Sequence, residues 1–248
     1  MSSVATAPIL VTGATGRQGG TGRHAAAALL DRGLAVRALV RTLDECAESL
    51  AAPGAEVVVG DFADHASLVA ALDGVGSAYF CHPVGAGIAE AAGLFAAAGR
   101  EQGLRRIVHL SLAPAGPGNP SPQWVAEQIF EWAGFGGVHL RIAAFFMENL
   151  LYVHGAQIRE HGVIRNAFGD YPAPWVAGAD VGAEARGDAN PRGAAHLAAQ
   201  SVTLRGRPLP PLTDHVERFT GRPATTFTGF VHARREQFAG AAGSVPGA

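Results

Sequence analysis

The chain has 248 residues, a formal net charge of −2 and 48% hydrophobic residues, enough for one α/β domain with a sizeable core, alone or with a small appendage. The near-neutral charge and the lack of a basic stripe argue against nucleic acid as a direct partner, and the two cysteines suit neither a metal site nor a disulfide framework. No apolar run reaches about 18 residues, so no membrane span is expected. The first residues lack the pattern of a signal peptide, which predicts a cytoplasmic protein. All 19 basic residues are arginine, so no mechanism here uses a lysine ammonium.

The first feature in chain order is a glycine turn between a predicted strand, Ile9–Val11, and an Ala-rich predicted helix, His24–Leu30. The spacing G-x-x-G-x-x-G predicts a tight turn at Gly13, close approach to a phosphate at Gly16 and close helix packing at Gly19. Such a turn directs backbone N–H groups at a pyrophosphate. The residues predicted to bind a dinucleotide here are Gly13, Thr15, Gly16, Arg17, Gln18 and Gly19. In a chain with 33 glycines, ordinary turns are the alternative.

The second predicted strand, Ala35–Val40, ends at Arg41. In a nucleotide-binding βαβ unit this strand end lies beside the adenine ribose, where an acidic residue holds the 2′-hydroxyl of NAD and an arginine favours the 2′-phosphate of NADP. Arg41, together with Arg17 in the glycine turn, therefore predicts NADP(H). The alternative is that both are solvated loop arginines.

Two more strand ends carry candidate cofactor contacts. Asp61 follows the third strand, where a polar residue meets the adenine edge, and Phe62 stands beside it. His82 and Pro83 follow the fourth strand and are expected to face the nicotinamide end. The alternative for His82 is a hydrogen bond to a loop backbone group.

Short strands alternate with helices along the first part of the chain. The predicted strands are Ile9–Val11, Ala35–Val40, Glu56–Val59, Ser77–Cys81, Arg106–Leu110 and Val138–Ile142. This alternation predicts a Rossmann-type, doubly wound α/β fold with a mostly parallel sheet. We assign residues 1–142 to the dinucleotide-binding domain and 143–248, where the pattern loosens, to a small substrate cap interleaved with the sheet.

The motifs together resemble the NmrA-like branch of the atypical short-chain dehydrogenase/reductase superfamily. GATGRQGG at residues 13–20 resembles its phosphate turn, VRALVR at 36–41 its NADP-type second strand, and LRIAAFFMENLL at 140–151 the segment lining its active cleft. The resemblance covers nearly the whole chain and is specific up to about residue 182. It implies the Rossmann fold, NADP(H) as cofactor and a role in secondary metabolism.

The chain departs from the superfamily in its catalytic residues. It contains no Tyr-x-x-x-Lys pair. Matching Glu127 to the family's glutamate on the helix after the Pro/Gly loop places Gln123 where several relatives carry a lysine. Gln123 can donate a hydrogen bond but supplies no charge.

The remaining candidate catalytic residues are Ser111, Gln123 and Tyr152. Ser111 stands at the end of the fifth strand, facing the ligand crevice, and alternatively caps that strand end. Tyr152 is the candidate proton donor from the helical side. Candidate substrate-binding residues are Phe145, Phe146 and Asn149; core packing is the alternative for both phenylalanines and a helix-start hydrogen bond for Asn149.

These residues support three hypotheses. The first is an NADP(H)-dependent oxidoreductase that reduces a quinone-like, enone or polyketide-like carbonyl compound, because an electron-poor acceptor needs no side-chain acid. The second is a non-catalytic NADP(H) sensor, and the third is a non-redox cyclase or isomerase on the same fold. The expected ligands are small aromatic or conjugated carbonyl molecules, with no metal, and the chain is expected to be a monomer or a homodimer.

Overall fold

The structure is a computed structural model that describes residues 7–16, 20–83, 85, 87–112, 115–118, 120–142, 145–164, 174–182 and 215–239. Its main sheet has six parallel strands: β1 (Ile9–Val11), β2 (Val36–Val40), β3 (Glu56–Val59), β4 (Ser77–Phe80), β5 (Arg106–Leu112) and β6 (Gly136–Ile142). The strand order is β3-β2-β1-β4-β5-β6. The helices between the strands are α1 (Thr21–Leu30), α2 (Glu45–Ala51), α3 (His65–Leu72), α4 (Ile88–Glu101) and α5 (Pro122–Trp132). The doubly wound α/β prediction is confirmed.

The strand order reverses between β1 and β4: β2 and β3 follow β1 on one side of the sheet, whereas β4, β5 and β6 lie on the other. In such a sheet the connections leave on opposite sides at this point and open a crevice at the carboxyl ends of the strands. The glycine turn after β1 and the residues after β4 both lie at this crevice. The fold therefore gathers the predicted cofactor residues at one edge.

Side-chain caps start three of the five helices that connect the strands of the main sheet. Asp44, Asp64 and Ser121 each accept a hydrogen bond from a backbone N–H in the following turn. The first helix differs from its prediction, because it begins at Thr21, directly after a left-handed Gly20 (φ 47°), rather than at His24. The three residues Thr21, Gly22 and Arg23 thus belong to the helix instead of the turn.

The core lies on both faces of the sheet. One face packs β4 and β5 against α3, α4 and α5 around the buried rings of Phe80, Phe95 and Phe130. The other face packs small and branched side chains of β1 and β2 against α1 and α2, with Ala26 and Leu50 buried. Within the described ranges no helix is long and apolar enough to cross a membrane.

The later part of the chain contributes short elements. They are β7 (Phe145–Phe146), α6 (Asn149–Tyr152), α7 (Gly155–His161), β8 (Trp175–Val176), α8 (Gly178–Gly182), α9 (His215–Thr220), α10 (Phe227–Ala233) and α11 (Arg235–Phe238). Strands β7 and β8 pair in parallel, and α8 packs on α1. A division after residue 142 stays a prediction. The sequence also predicts a helix over 183–199, and these residues lie outside the described part of the chain.

His109 is a titratable group inside the core. It is 0% exposed on β5, edge-on to Phe80 and Phe130, and neither ring nitrogen has a partner. Burial, helped by nearby His139, lowers the pKa of His109 to about 3.

We expect the free energy of unfolding to fall as the pH drops from 7 to 4. The unfolded chain binds a proton at His109 near pH 6.5, whereas the folded chain resists protonation until about pH 3, so each pH unit in this window costs up to roughly 1.4 kcal/mol. Urea unfolding at several pH values measures the slope. His109→Leu should make the slope shallower without removing it, because burial also lowers the pKa of His24 to about 3. His232→Leu, at an exposed position, should leave the slope unchanged. Equal slopes in the wild type and His109→Leu would contradict the assignment.

Candidate active site

Thr12, just before the glycine turn, is hydrogen-bonded to Cys81, the residue that follows β4. Its hydroxyl donates to the carbonyl of Cys81 at 3.1 Å and accepts the Cys81 N–H at 2.9 Å. Gly13 has φ +69°, and a Cβ there would lie 2.8 Å from the Cys81 carbonyl oxygen. The N–H of Gly16 donates to the Gly13 carbonyl at 3.0 Å. The backbone of this turn is thus held in a conformation that only glycine permits at Gly13.

Gly22 makes the close contact between α1 and the sheet. A Cβ at this position would lie 2.6 Å from the Thr12 carbonyl oxygen and 2.6 Å from the Gly13 carbonyl carbon. The glycine spacing predicts this packing at Gly19, which lies outside the described residues together with Arg17 and Gln18. Gly22 was missed because its signal, a glycine in the first turn of an Ala-rich helix, stands out little in a glycine-rich chain.

Arg37 in β2 and Arg41 directly after β2 differ in their availability to a ligand. Arg37 donates to Glu56 at 2.8 Å and to the carbonyls of Ala71 and Asp73 at 2.9 and 2.7 Å. Arg41 is exposed just beyond the carboxyl end of β2, where it was predicted. Arg37 lies near the amino end of β2, so of the two only Arg41 lies at the carboxyl end, where the sequence predicts a contact to a phosphate.

Asp61 and Phe62 form the turn after β3. A side-chain oxygen of Asp61 accepts a hydrogen bond from the Ala63 N–H at 2.9 Å, and the backbone N–H of Asp61 donates to the Ser67 hydroxyl oxygen at 3.0 Å. The half-buried Phe62 ring has its centroid 5.2 Å from that of the His82 ring after β4, and the two ring planes are tilted by 44°. The turns after β3 and β4, two strands that β2 and β1 separate in the sheet, thus bring an aromatic pair together at the carboxyl edge.

His82 also forms the backbone contact that was the alternative for it. Its Nδ1 lies 2.8 Å from the carbonyl oxygen of the exposed Pro83, and burial lowers the pKa of His82. The imidazole is therefore neutral with its proton on Nδ1, because a carbonyl only accepts. That leaves Nε2 as a hydrogen-bond acceptor.

Ser111 is joined to a buried carboxylate. Its hydroxyl donates to Oε1 of Glu127 on α5 at 2.5 Å. Arg141 on β6 donates to the same carboxylate through Nε at 2.9 Å and Nη2 at 2.6 Å. Glu127 is 0% exposed and Ser111 2% exposed. Burial works to raise the pKa of Glu127, but the hydrogen bonds from Arg141 and Ser111 outweigh it and hold that pKa below its usual value.

The other catalytic candidates lie on two different elements. Gln123 is half-buried on α5, one turn before Glu127 and on the same helix face, toward the carboxyl edge of the sheet. Tyr152 is half-buried at the end of α6. Glu127 and Arg141 were quoted in the sequence motifs but not assigned a role, because their pairing depends on the contact between α5 and β6.

The predicted substrate residues pack inside the cap segment. Phe145 and Phe146 are 7% and 9% exposed and form β7, with Phe145 opposite Trp175 in β8. This burial favours core packing, the alternative named for them. Asn149 begins α6, is 5% exposed, and its side-chain oxygen has no hydrogen-bond partner.

Two curated proteins are similar in sequence to this chain. A (4-alkanoyl-5-oxo-2,5-dihydrofuran-3-yl)methyl phosphate reductase from Streptomyces griseus subsp. griseus is 33% identical over 184 residues, 71% of this chain and 61% of that protein. An NAD(P)H azoreductase from Xenophilus azovorans is 28% identical over 181 residues, with the same shares covered. The chain thus spans about three-fifths of the length of these relatives.

A solved structure shares the fold. An NADPH-dependent quinone oxidoreductase from Escherichia coli, solved with NADPH, superposes with a TM-score of 0.73 at 22% identity, covering 91% of this chain and 99% of that one.

The NmrA-like family model matches residues 5–131, which contain the glycine turn, the first five strands and most of α5. The chain therefore belongs to the NmrA-like family, as the motifs predicted.

Proposed function

We propose that the protein is an NADP(H)-dependent oxidoreductase. The observation that carries the proposal is the β1–α1 turn, at the point where the strand order reverses. There Gly13, Gly16 and Gly22 allow backbone segments to approach so closely that a Cβ at any of them would collide with backbone atoms. The backbone of such a turn suits a pyrophosphate. The NADPH of the quinone oxidoreductase and the NAD(P)H named for the azoreductase support the choice of cofactor.

The described residues offer contacts for the adenosine part of this cofactor. Arg41 follows β2, where the 2′-phosphate would be held, and the Phe62–His82 pair follows β3 and β4 at the same carboxyl edge of the sheet. The nicotinamide supplies a hydride when the cofactor is bound. Toward the substrate, Ser111 and Gln123 offer polar groups, while the chain provides no lysine to charge the site.

We further propose a conjugated, electron-poor acceptor such as a quinone, an enone or a polyketide-like carbonyl. Reduction of such a compound places the negative charge on a delocalised oxygen, and water then supplies the proton, so no side-chain acid is needed. The hydroxyl proton of Ser111 is already donated to Glu127, which supports a mechanism without a serine acid. The names of the quinone oxidoreductase and of the dihydrofuran reductase describe acceptors of this kind.

We expect calorimetric titration to give at least about tenfold tighter binding of NADPH than of NADH, because a charge-assisted contact to the 2′-phosphate contributes about 1.5–3 kcal/mol. Arg41→Ala should remove most of this preference. The control Arg32→Ala, exposed after α1 at the opposite edge of the sheet, should keep it. Equal binding of both cofactors by the wild type would contradict the role of Arg41, and no binding of either would contradict the proposed function.

A non-catalytic NADP(H) sensor is the second candidate. It is favoured by Gln123 at the family's lysine position and by a Ser111 whose proton is engaged. A sensor binds NADPH tightly without consuming it. Oxidation of NADPH with a panel of quinones and enones, above the rate without protein, would exclude the sensor; tight binding without turnover would exclude the reductase.

A further inference from the structure

The hydroxyl of Ser111, near the end of β5, has one proton, and that proton is already donated in a hydrogen bond. The 2.5 Å bond to Oε1 of Glu127 takes the Ser111 hydroxyl hydrogen, so the oxygen has only lone pairs left for another partner. We propose that Glu127 makes Ser111 a hydrogen-bond acceptor, and that the ligand group meeting Ser111 therefore carries an N–H or O–H. This proposal rests on the proposed function for the identity of the site.

Glu127 is held in place as an acceptor of this proton. Both of its oxygens receive a hydrogen bond from Arg141, and the register of β5 and β6 sets Arg141 directly beside Ser111. The carboxylate is fully buried, so water does not compete for Ser111. Such a charge-assisted bond is stronger than one between neutral groups.

The opposite role, donation from Ser111 to a substrate carbonyl, would break this bond. It would leave a buried carboxylate with one donor fewer, which is costly. The structure therefore assigns Glu127 a positioning role: it fixes the polarity of Ser111 and touches no ligand itself.

Two groups supply a suitable donor. One is the carboxamide N–H of the nicotinamide, and the other is an amino or hydroxyl substituent on the acceptor substrate. Both groups can donate a hydrogen bond to Ser111. Two experiments distinguish them, because each removes the N–H from one of the two groups and keeps the shape of that group.

The first experiment compares calorimetric binding of NADP⁺ with that of its 3-acetylpyridine analogue, which replaces the carboxamide by an acetyl group without N–H. If the cofactor is the donor, the wild type should prefer NADP⁺ about tenfold, the equivalent of one hydrogen bond. Ser111→Ala removes the acceptor oxygen and should reduce the preference to about twofold or less. Glu127→Gln should have the same effect, because the glutamine amide can donate to Ser111, whose own proton is then free. Glu131→Gln, one turn further along α5 and half-exposed, is the matched control and should retain it.

The second experiment compares kcat/KM for 2-amino- and 2-dimethylamino-1,4-naphthoquinone with the same four proteins. If the substrate is the donor, the preference for the amino compound appears here instead and again disappears in Ser111→Ala. Ser111→Ala keeps the Glu127–Arg141 pair, so the test survives if Glu127→Gln does not fold. Ratios unaffected by Ser111→Ala in both experiments would overturn the acceptor role while leaving the reductase intact. Absence of dinucleotide binding would overturn both proposals.

Discussion

Gly22→Ala is expected to destabilise the protein by about 1–3 kcal/mol and to weaken NADPH binding. The added Cβ would lie 2.6 Å from the Thr12 carbonyl oxygen and from the Gly13 carbonyl carbon, and both are backbone atoms that cannot rotate away. Helix α1 must therefore shift outward, which displaces its N-terminus from the turn that it flanks. Urea unfolding measures the first effect and calorimetric titration with NADPH the second.

Gly93→Ala in the middle of α4 is the matched control. Nothing lies within 4 Å of a Cβ at that position. A helical glycine replaced by alanine without contact should be neutral or stabilising by about 0.5–1 kcal/mol. Unchanged NADPH affinity and stability in Gly22→Ala would show that α1 does not rest on Gly13.

Arg141→Met is expected to reduce the free energy of unfolding by about 3–5 kcal/mol at pH 8, since it leaves the carboxylate of Glu127 buried without its cation. The pH dependence should reverse as well. In the wild type the pKa of Glu127 is lowered, so its contribution is present above the unfolded pKa and is lost as the pH falls through the folded one. In Arg141→Met burial raises that pKa, so stability is lost as the pH rises through it.

The difference between Arg141→Met and the wild type should therefore shrink from pH 8 to pH 5. Comparing differences removes the acid destabilisation from His109, which both proteins share. Arg106→Met, exposed at the amino end of β5, is the control for loss of a strand arginine and should cost about 0.5 kcal/mol or less. A difference that stays constant between pH 5 and pH 8 would contradict an ionised Glu127.

Local patterns in the sequence determined much of the fold. Alternating apolar strands and helices set the doubly wound sheet, since each element must bury one face and short connections keep neighbours adjacent. The caps at Asp44 and Asp64 are local in the same way, because each side chain accepts a hydrogen bond from an N–H group of the next turn. The glycine turn was recognisable for the same reason: φ > 0 at Gly13 is a local requirement.

The chemistry of the site was decided by contacts between distant segments. The sequence placed Ser111 at a strand end but left its polarity open, because that depends on Glu127 from α5 and Arg141 from β6 meeting beneath the same edge. Gly22 likewise acquires its role only when α1 lies on β1. A residue's type is written in the sequence, but the direction of its hydrogen bond is fixed by whichever groups the tertiary packing buries beside it.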